Sequence, residues 1–244
     1  MKVLSIVMAG GKGSRLRPLT FIKPKVLFPA MGGRRVIDFS IESGFSHNIP
    51  GIEVETVVLA RYKSGQVARY VIRKYPSVAV LVGSKPFGTG GEILQHWKVL
   101  REREPDFVVI LNGDHFVQLP LGQILKCCEE TPHPLLMVGI PSDEEYHDYI
   151  NVQHNSSVVL SKFSTRKSRI AFTGITVIRF DALRERMDQL KMGYCDLTQD
   201  VVSWIYEKHG GIHYILENKW RDLGTWGRYL GFLYRELNGS DSGL

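Results

Sequence analysis

The sequence predicts an α/β fold, a three-layer α/β/α sandwich with a mostly parallel central sheet. Short β-branched runs alternate with stretches that carry apolar residues at helical spacing, which is typical of a parallel sheet with crossover helices. The 244 residues are 43% hydrophobic and contain no low-complexity tract, so they can bury one sizeable core. We therefore expect a single domain over residues 1–244.

In the first part of the chain, strands and helices alternate. Glu92 falls at the start of its predicted helix, where the helix dipole favours a carboxylate, so we assign it no chemistry. The predicted strands are Val3–Ala9, Val54–Ala60, Val78–Val82, Phe107–Asn112 and Leu135–Ile140, and the predicted helices are Val36–Ser46, Ser64–Tyr75, Glu92–Glu102 and Leu121–Glu130.

From Tyr149 the pattern changes to alternating strands followed by helices. Neither an internal repeat nor a linker separates the two parts, so the second should extend the first sheet. The polar tail Asn238–Leu244 is expected to fray. The predicted strands are Val158–Phe163, Ile170–Phe180 and Ile212–Leu216, and the predicted helices are Asp181–Leu190, Thr198–His209 and one from Trp226.

The net charge and the cysteine content indicate which classes of partner and which cellular compartment to expect. The formal charge of +6 suggests acidic partners, but there is no basic amphipathic helix or aromatic–lysine interleave, so we predict no nucleic-acid partner. The apolar start Met1–Val7 is too short for a signal peptide or a membrane span, and no membrane partner is predicted. Three cysteines in no disulfide or metal-ligand pattern fit a cytoplasmic protein.

A glycine-rich turn, "MAGGKGSRLRPLT" from Met8 to Thr20, is the first candidate site. It follows a strand directly, and open α/β sheets bind ligands at the carboxyl ends of their strands. Backbone amides of Gly10, Gly11 and Gly13 could close on phosphate oxygens, and Arg15 offers a planar fork for two more. The turn therefore predicts a polyphosphate pocket; the alternative is an ordinary glycine turn with solvated charges.

Two familiar phosphate loops do not match this turn. A P-loop needs Ser or Thr after the lysine, and here Gly13 follows Lys12. A dinucleotide fingerprint would need a third glycine where Leu16 stands.

Several blocks, in order along nearly the whole chain, resemble one enzyme family. They are "GGKGSRLRPLT", "GGRRVIDFSIESGF", "RYKSGQVARYVIRKY", "GTGGEI", "VVILNGDHF", "FTGITVIRFDAL" and "WRDLGT". They are similar to the sugar-phosphate nucleotidylyltransferases, and within that family to the ADP-glucose pyrophosphorylase subfamily. The resemblance implies a Rossmann-like fold of the nucleotide-diphospho-sugar transferase type. It also implies Mg²⁺, a nucleoside triphosphate and a sugar or cyclitol 1-phosphate. ATP is favoured, with GTP or dTTP as alternatives.

The resemblance implies roles for charged residues. Asp114 follows an apolar strand, Asp222 lies in "KWRDLGT", and both match metal-binding aspartates. Arg15 matches the arginine on the β- and γ-phosphates. Lys25 is the candidate for the α-phosphate, with Lys23 held in reserve. His115 adjoins Asp114, but the attacking group is already an anion, so we expect it in a supporting or surface role.

The same resemblance implies sites for the nucleotide and the sugar phosphate. The implied nucleotide-binding residues are Ala9, Gly10, Gly11, Gly13, Ser14, Gly88 and Thr89, and the implied sugar phosphate-binding residues are Thr165, Arg166 and Gly174.

The sugar side departs from the subfamily pattern. This chain has Phe-Ser-Thr-Arg-Lys at residues 163–167, where the ADP-glucose pyrophosphorylase subfamily has a segment similar to Phe-Val-Glu-Lys-Pro. Thr165 therefore replaces a glutamate, and Arg166 replaces a lysine. Ile150 stands where a glycine is frequent. One hypothesis is therefore a 1-phosphate other than glucose 1-phosphate. The other is a register shifted by one residue, in which Lys167 takes the usual role.

The remaining expectations concern assembly and activity. The subfamily continues into a β-helix used in assembly and allosteric control, whereas this sequence stops at Leu244, so we expect no allosteric apparatus. A homo-oligomer stays open, because the last helix, with Trp226, Tyr229, Phe232 and Tyr234, is expected to leave room for a partner. A non-catalytic regulatory or binding homologue is the alternative function. A glycosyltransferase is disfavoured because the chain lacks an Asp-x-Asp motif.

Overall fold

The computed structural model describes residues 1–45, 50–141, 149–152, 158–161, 170–216 and 219–237. Its strands are β1 (Lys2–Ala9), β2 (Glu53–Ala60), β3 (Ala79–Val82), β4 (Phe107–Asn112), β5 (His115–Val117), β6 (Leu135–Pro141), β7 (Tyr149–Val152), β8 (Val158–Ser161), β9 (Ile170–Arg179), β10 (Ile212–Ile215) and β11 (Trp220–Asp222). Its helices are α1 (Val36–Phe45), α2 (Ser64–Lys74), α3 (Gly88–Gln95), α4 (Trp97–Arg101), α5 (Leu121–Glu130), α6 (Phe180–Gln189), α7 (Ser203–His209) and α8 (Trp226–Leu237).

The central sheet confirms the predicted α/β class. Its strand order is β10-β6-β9-β4-β1-β2-β3, and the second part of the chain extends the first sheet as expected. Strand β9 runs antiparallel to both neighbours, β4 and β6, while the pairs β1–β2, β1–β4, β2–β3 and β6–β10 are parallel. Strands β7 and β8 pair with each other, and β7 also pairs with β9.

Alternation along β1 accounts for the three layers. Val3 and Val7 point to a hydrophobic cluster that includes residues of α1, α2 and α5. Leu4 and Ile6 point to a second cluster that includes residues of α3, α4, α6 and α7. Because successive side chains of a strand face opposite sides of the sheet, an apolar run such as β1 is buried on both faces.

A third cluster anchors α8 beside the short pair β5–β11. Phe232 of α8 packs against Phe116 of β5 and Phe39 of α1, with ring centroids 5.2 and 5.9 Å apart. Tyr229 and Phe232 are only 5% and 1% exposed, so the expectation that they belong to a free face of the last helix was wrong. Tyr234, in contrast, is exposed.

The remaining differences from the predicted elements are local. The helix expected at Glu92 begins at Gly88 and is divided at His96 into α3 and α4. The helix expected over Thr198–His209 is divided into a π-helical turn, Leu197–Val202, and the helix α7 that follows it. Strands β5, β7 and β11 were not expected. In the described part of the chain, no helix is both long and apolar enough to cross a membrane.

Candidate active site

A cavity of about 400 Å³ opens at the carboxyl ends of β1, β2 and β4. These strands are parallel neighbours, so the residues that follow them meet at one edge of the sheet. The described residues that line the cavity are Met8, Gly10, Gly11, Arg15, Lys25, Val26, Arg61, Gly88, Thr89, Glu92, Asn112, Asp114, His115, Phe172, Thr173, Gly174, Trp220 and Asp222.

Part of the predicted glycine turn lines this cavity. Gly10, Gly11 and Arg15 are lining residues, whereas Ala9, Gly13 and Ser14 are not among them. Gly13 instead makes the turn itself: its φ is +62°, and its carbonyl accepts a hydrogen bond from Thr20 Oγ1 at 3.1 Å. A side chain is strained at that φ, so glycine serves the turn rather than the cavity wall.

Lys25 is placed at the cavity by a short 3₁₀ turn, Lys25–Leu27. The other two residues of this turn, Val26 and Leu27, are buried. Its ammonium forms an ion pair with the carboxylate of Asp114. Burial lowers the pKa of Lys25 to about 8; Asp222 opposes this shift and Arg15 adds to it. The alternative lysine, Lys23, is not among the described residues that line the cavity.

The two predicted metal-binding aspartates come together through β5 and β11. Asp114 lies between β4 and β5, and the antiparallel register of β5 with β11 places His115 opposite Asp222. One ligand atom each from Asp114, His115 and Asp222 can be chosen so that all lie within 4.8 Å of one another. The pair β5–β11 thus brings together residues more than a hundred positions apart in the chain.

Asp222 is held in its ionised form. Burial pushes the pKa of Asp222 up, but three groups together outweigh burial and leave the pKa lowered. They are His115, which is charged only at low pH, the Gly224 N–H, which donates to Oδ1 at 2.7 Å, and the Arg228 guanidinium, which pairs with Oδ2. Both aspartates therefore already face a cation: Asp114 faces Lys25, and Asp222 faces Arg228.

His115 is neutral, and its tautomer follows from one contact. Burial lowers its pKa to about 4. The indole Nε1–H of Trp220 donates to His115 Nδ1 at 3.1 Å, and an indole can only donate. Nδ1 is therefore the unprotonated nitrogen. Nε2 carries the proton and lies 3.8 and 3.9 Å from the nearest oxygens of Asp114 and Asp222.

The donor set fits a hard divalent cation such as Mg²⁺. Two carboxylates are enough for Mg²⁺, which takes oxygen ligands and keeps several waters. His115 lies beside the two aspartates, but in this tautomer its Nε2 bears a proton and cannot serve as a third ligand. The donor set in this state therefore differs from the imidazole-containing set typical of zinc.

Two charged lining residues were not assigned to the site from the sequence: Arg61 was not singled out, and Glu92 was given no chemistry. Arg61 follows β2 directly, and its Nε donates to Glu92 Oε1 at 3.1 Å. Glu92 lies inside α3, not at its start, and is 9% exposed. Burial raises the pKa of Glu92, and Arg61 opposes that shift. The position of Arg61 at a strand's carboxyl end was the signal available in the sequence.

The predicted loop residues Gly88 and Thr89 line the cavity and are fixed to the segment before α7. The Thr89 hydroxyl accepts from the Leu197 N–H at 3.0 Å, and the Cys195 N–H donates to the Phe87 carbonyl at 2.8 Å. Gly88 has φ of +79°, and a Cβ there would lie 2.4 Å from the Cys195 carbonyl oxygen. Only glycine fits this approach.

The structure describes only some of the residues predicted to bind the sugar phosphate. Gly174 lines the cavity, and a Cβ there would lie 2.4 Å from Asn112 Nδ2. Thr165 and Arg166, and the alternative Lys167, lie outside the described residues. For Ile150 only the backbone, in β7, is described.

Comparisons with known proteins identify relatives of this chain. A family model described as nucleotidyl transferase matches residues 4–237. A glucose-1-phosphate adenylyltransferase from Bacillus thuringiensis (strain Al Hakam) is 26% identical over 92% of this chain and 65% of its own length. The glucose-1-phosphate adenylyltransferase of Alteromonas mediterranea is also 26% identical, over 91% of this chain and 59% of its own length. The chain thus spans less than two thirds of these relatives.

A solved structure shows the same fold. It comes from Bacillus anthracis, is assigned as a glucose-1-phosphate thymidylyltransferase and was determined in complex with a sucrose. The superposition has a TM-score of 0.79 and covers 95% of this chain and 94% of that one, at 20% sequence identity.

Proposed function

Since the chain belongs to the nucleotidyl transferase family, we propose that it transfers a nucleotidyl group from a nucleoside triphosphate to a sugar or sugar-like cyclitol 1-phosphate. The observation that carries this proposal is the meeting of Arg15, Lys25, Asp114 and Asp222 in one cavity at the carboxyl edge of the sheet. Cations and paired carboxylates together suit a polyphosphate and a divalent cation, and a non-catalytic homologue would have no need to keep all four.

The reaction needs positioning and charge neutralisation more than proton transfer. A phosphate oxygen of the 1-phosphate attacks the α-phosphorus of the triphosphate, a new phosphorus–oxygen bond forms, and the bond to the bridging oxygen of the β-phosphate breaks. Pyrophosphate leaves with that electron pair. The attacking oxygen is already an anion, so no general base is needed. This agrees with the neutral, buried state of His115.

Arg15 and Lys25 take the cationic roles. The Arg15 guanidinium can bind two oxygens of the leaving pyrophosphate with its planar fork. Lys25 carries a point charge that can follow the α-phosphate as its geometry changes. Its ion pair with Asp114 holds the ammonium at the cavity wall until a phosphate competes for it.

Mg²⁺ would be held by Asp114 and Asp222 and would supply further neutralisation of the crowded phosphate oxygens. The Gly224 N–H and Arg228 fix the orientation of the Asp222 carboxylate, and a bound cation would compete with Arg228 for it. His115 is oriented by Trp220, its Nε2 lies 3.8 and 3.9 Å from the two carboxylates, and it would act as a positioning residue.

The test is pyrophosphate release with Mg²⁺, across five nucleoside triphosphates and a panel of sugar and cyclitol 1-phosphates. Release with a defined pair of substrates, abolished by Asp114→Asn, is the expected result. Asp188→Asn is the matched control, because Asp188 also binds a cation, Arg101, but lies outside the cavity lining. A folded protein that releases no pyrophosphate in any combination would support the non-catalytic homologue instead.

A further inference from the structure

The cavity lining contains two groups of charged residues. Arg15, Lys25 and the two aspartates form the group that suits phosphate and metal. Arg61 and Glu92 line the same cavity beside Gly10, and Gly10 comes two residues after Met8, near the end of β1. Glu92 lies so close to the backbone that a Cβ on Gly10 would be 2.0 Å from its Oε1. The Glu92 carboxylate repels phosphate oxygens, and its pairing with Arg61 leaves the two residues without net charge, so an uncharged part of the ligand fits beside them.

The ion pair leaves donors and an acceptor unused. Within the described part of the chain, Arg61 and Glu92 share one hydrogen bond, from Nε to Oε1. The second oxygen of Glu92 and the two terminal amino groups of Arg61 make no hydrogen bond to a described residue. Glu92 as a whole is only 9% exposed, and a carboxylate oxygen in such a place is stabilised by N–H or O–H donors of a ligand.

Resting on the proposed function, we propose that Arg61 and Glu92 recognise the nucleobase and that the base they select is guanine. The guanidinium can donate to O6 and N7 of guanine, the pairing that arginine most often makes with that base. The carboxylate can accept from the adjacent N1–H and N2–H₂ groups. Guanine is the base that places two neighbouring donors beside a carbonyl acceptor, so it satisfies both members of the pair.

The other bases satisfy the pair less well. Adenine offers the carboxylate one amino group, and the lone pair of its N1 faces the same side. Uracil and thymine offer one imide N–H, and cytosine offers one amino group. Each offers the Glu92 carboxylate a single donor group, whereas an adjacent pair of hydrogen bonds distinguishes bases by about tenfold or more.

The experiment is equilibrium binding of GTP, ITP, ATP and XTP in the presence of Mg²⁺ to the whole chain and to Glu92→Gln. We expect wild type to bind GTP about tenfold more tightly than ATP, with ITP, which lacks the N2 amino group, between them. In Glu92→Gln we expect GTP to weaken about tenfold and XTP to gain, because the glutamine N–H₂ can donate to the O2 carbonyl of xanthine.

Glu55→Gln is the matched control. Glu55 also accepts from an arginine Nε, that of Arg103, but it lies outside the cavity lining, so its substitution should leave all four affinities unchanged. ATP binding as tightly as GTP, or an equal loss of all four nucleotides in Glu92→Gln, would overturn the assignment of guanine while leaving nucleotide binding intact. If the chain shows no base preference, and 2′-deoxy-GTP binds more weakly than GTP only when Glu92 is present, the assignment of guanine would be overturned in favour of ribose recognition. A folded protein that binds no nucleotide would overturn the proposed function itself.

Discussion

At the scale of single residues, Gly10 leaves the space that the Glu92 carboxylate occupies. Gly10→Ala would place a Cβ 2.0 Å from Oε1 and 2.4 Å from Cδ of Glu92, so the carboxylate would have to leave Arg61. Overpacking and a broken buried pair together are expected to lower the free energy of unfolding by about 1–3 kcal/mol. Urea denaturation of the variant measures this change.

The double variant Gly10→Ala with Glu92→Ala tests the cause. If contact with the carboxylate is responsible, the double variant should lose less stability than the sum of the two single variants. Additive losses would show that Gly10→Ala acts elsewhere, for example on the neighbouring turn.

His115 gives a second prediction at this scale. Because the Trp220 indole donates to Nδ1, the imidazole proton should lie on Nε2. ¹⁵N NMR of the histidine ring should show a protonated Nε2 and an unprotonated Nδ1 across the neutral pH range. Trp220→Phe removes the donor and should allow the other tautomer to appear. A proton found on Nδ1 in the wild type would contradict the contact described here.

At the scale of elements, the start of α3 depends on the segment before α7. The Thr89 hydroxyl accepts from the Leu197 N–H at 3.0 Å, and Gly91 N–H donates to the Cys195 carbonyl at 3.0 Å. Thr89→Val keeps the shape but leaves the Leu197 amide without its acceptor, at an expected cost of about 1 kcal/mol. Hydrogen exchange of the Leu197 amide should then quicken by about fivefold.

Thr89→Ser is the control, because serine keeps the hydroxyl. It should preserve slow exchange at Leu197 while losing only the methyl contact. Equal exchange rates in Thr89→Val and wild type would mean that other contacts hold the two segments together.

The sequence predicted the large elements well because their signal is repeated. Each long strand is an apolar run buried on both faces, and this pattern spans several residues in β1 and β4. Strands β5 and β11 were missed because each is three residues long, too short for a periodic signal. The start of α3 was missed because the run Gly88 to Gly91 has low helix propensity, which tertiary contacts to Cys195 override.

The candidate site was predictable where residues follow a strand end. Gly10 and Asp114 each come shortly after a long strand, and the structure places both at the cavity. Pairings across the fold were not predictable in this way. Arg61 meets Glu92, and Trp220 meets His115, only after the sheet and the pair β5–β11 have formed. The roles of Gly10 and Asp114 in binding nucleotide and metal stay predictions.

At the scale of the whole molecule, the cavity concentrates charges that a ligand would rearrange. Each candidate metal-binding aspartate already pairs with a cation: Lys25 faces Asp114, and Arg228 faces Asp222. A divalent cation between the aspartates would compete with both basic groups and free Lys25 for a phosphate. Metal and triphosphate should therefore stabilise the fold together more than either does alone, because each relieves the charge that the other introduces.

Thermal unfolding with Mg²⁺, with a triphosphate and with both tests this coupling. At a hundredfold excess over the dissociation constant, a ligand specific for the folded state adds about 2.7 kcal/mol, or roughly 5–10 °C for a chain of this size. In the wild type, we expect the shift in unfolding temperature with both ligands to exceed the sum of the shifts with each ligand alone. The same excess is expected in the control Asp188→Asn, because the Asp188 carboxylate pairs with Arg101 away from the cavity. Asp222→Asn should lose the excess, since it weakens the metal site but leaves Arg15 and Lys25 to bind phosphate. An undiminished excess in that variant would place the metal elsewhere.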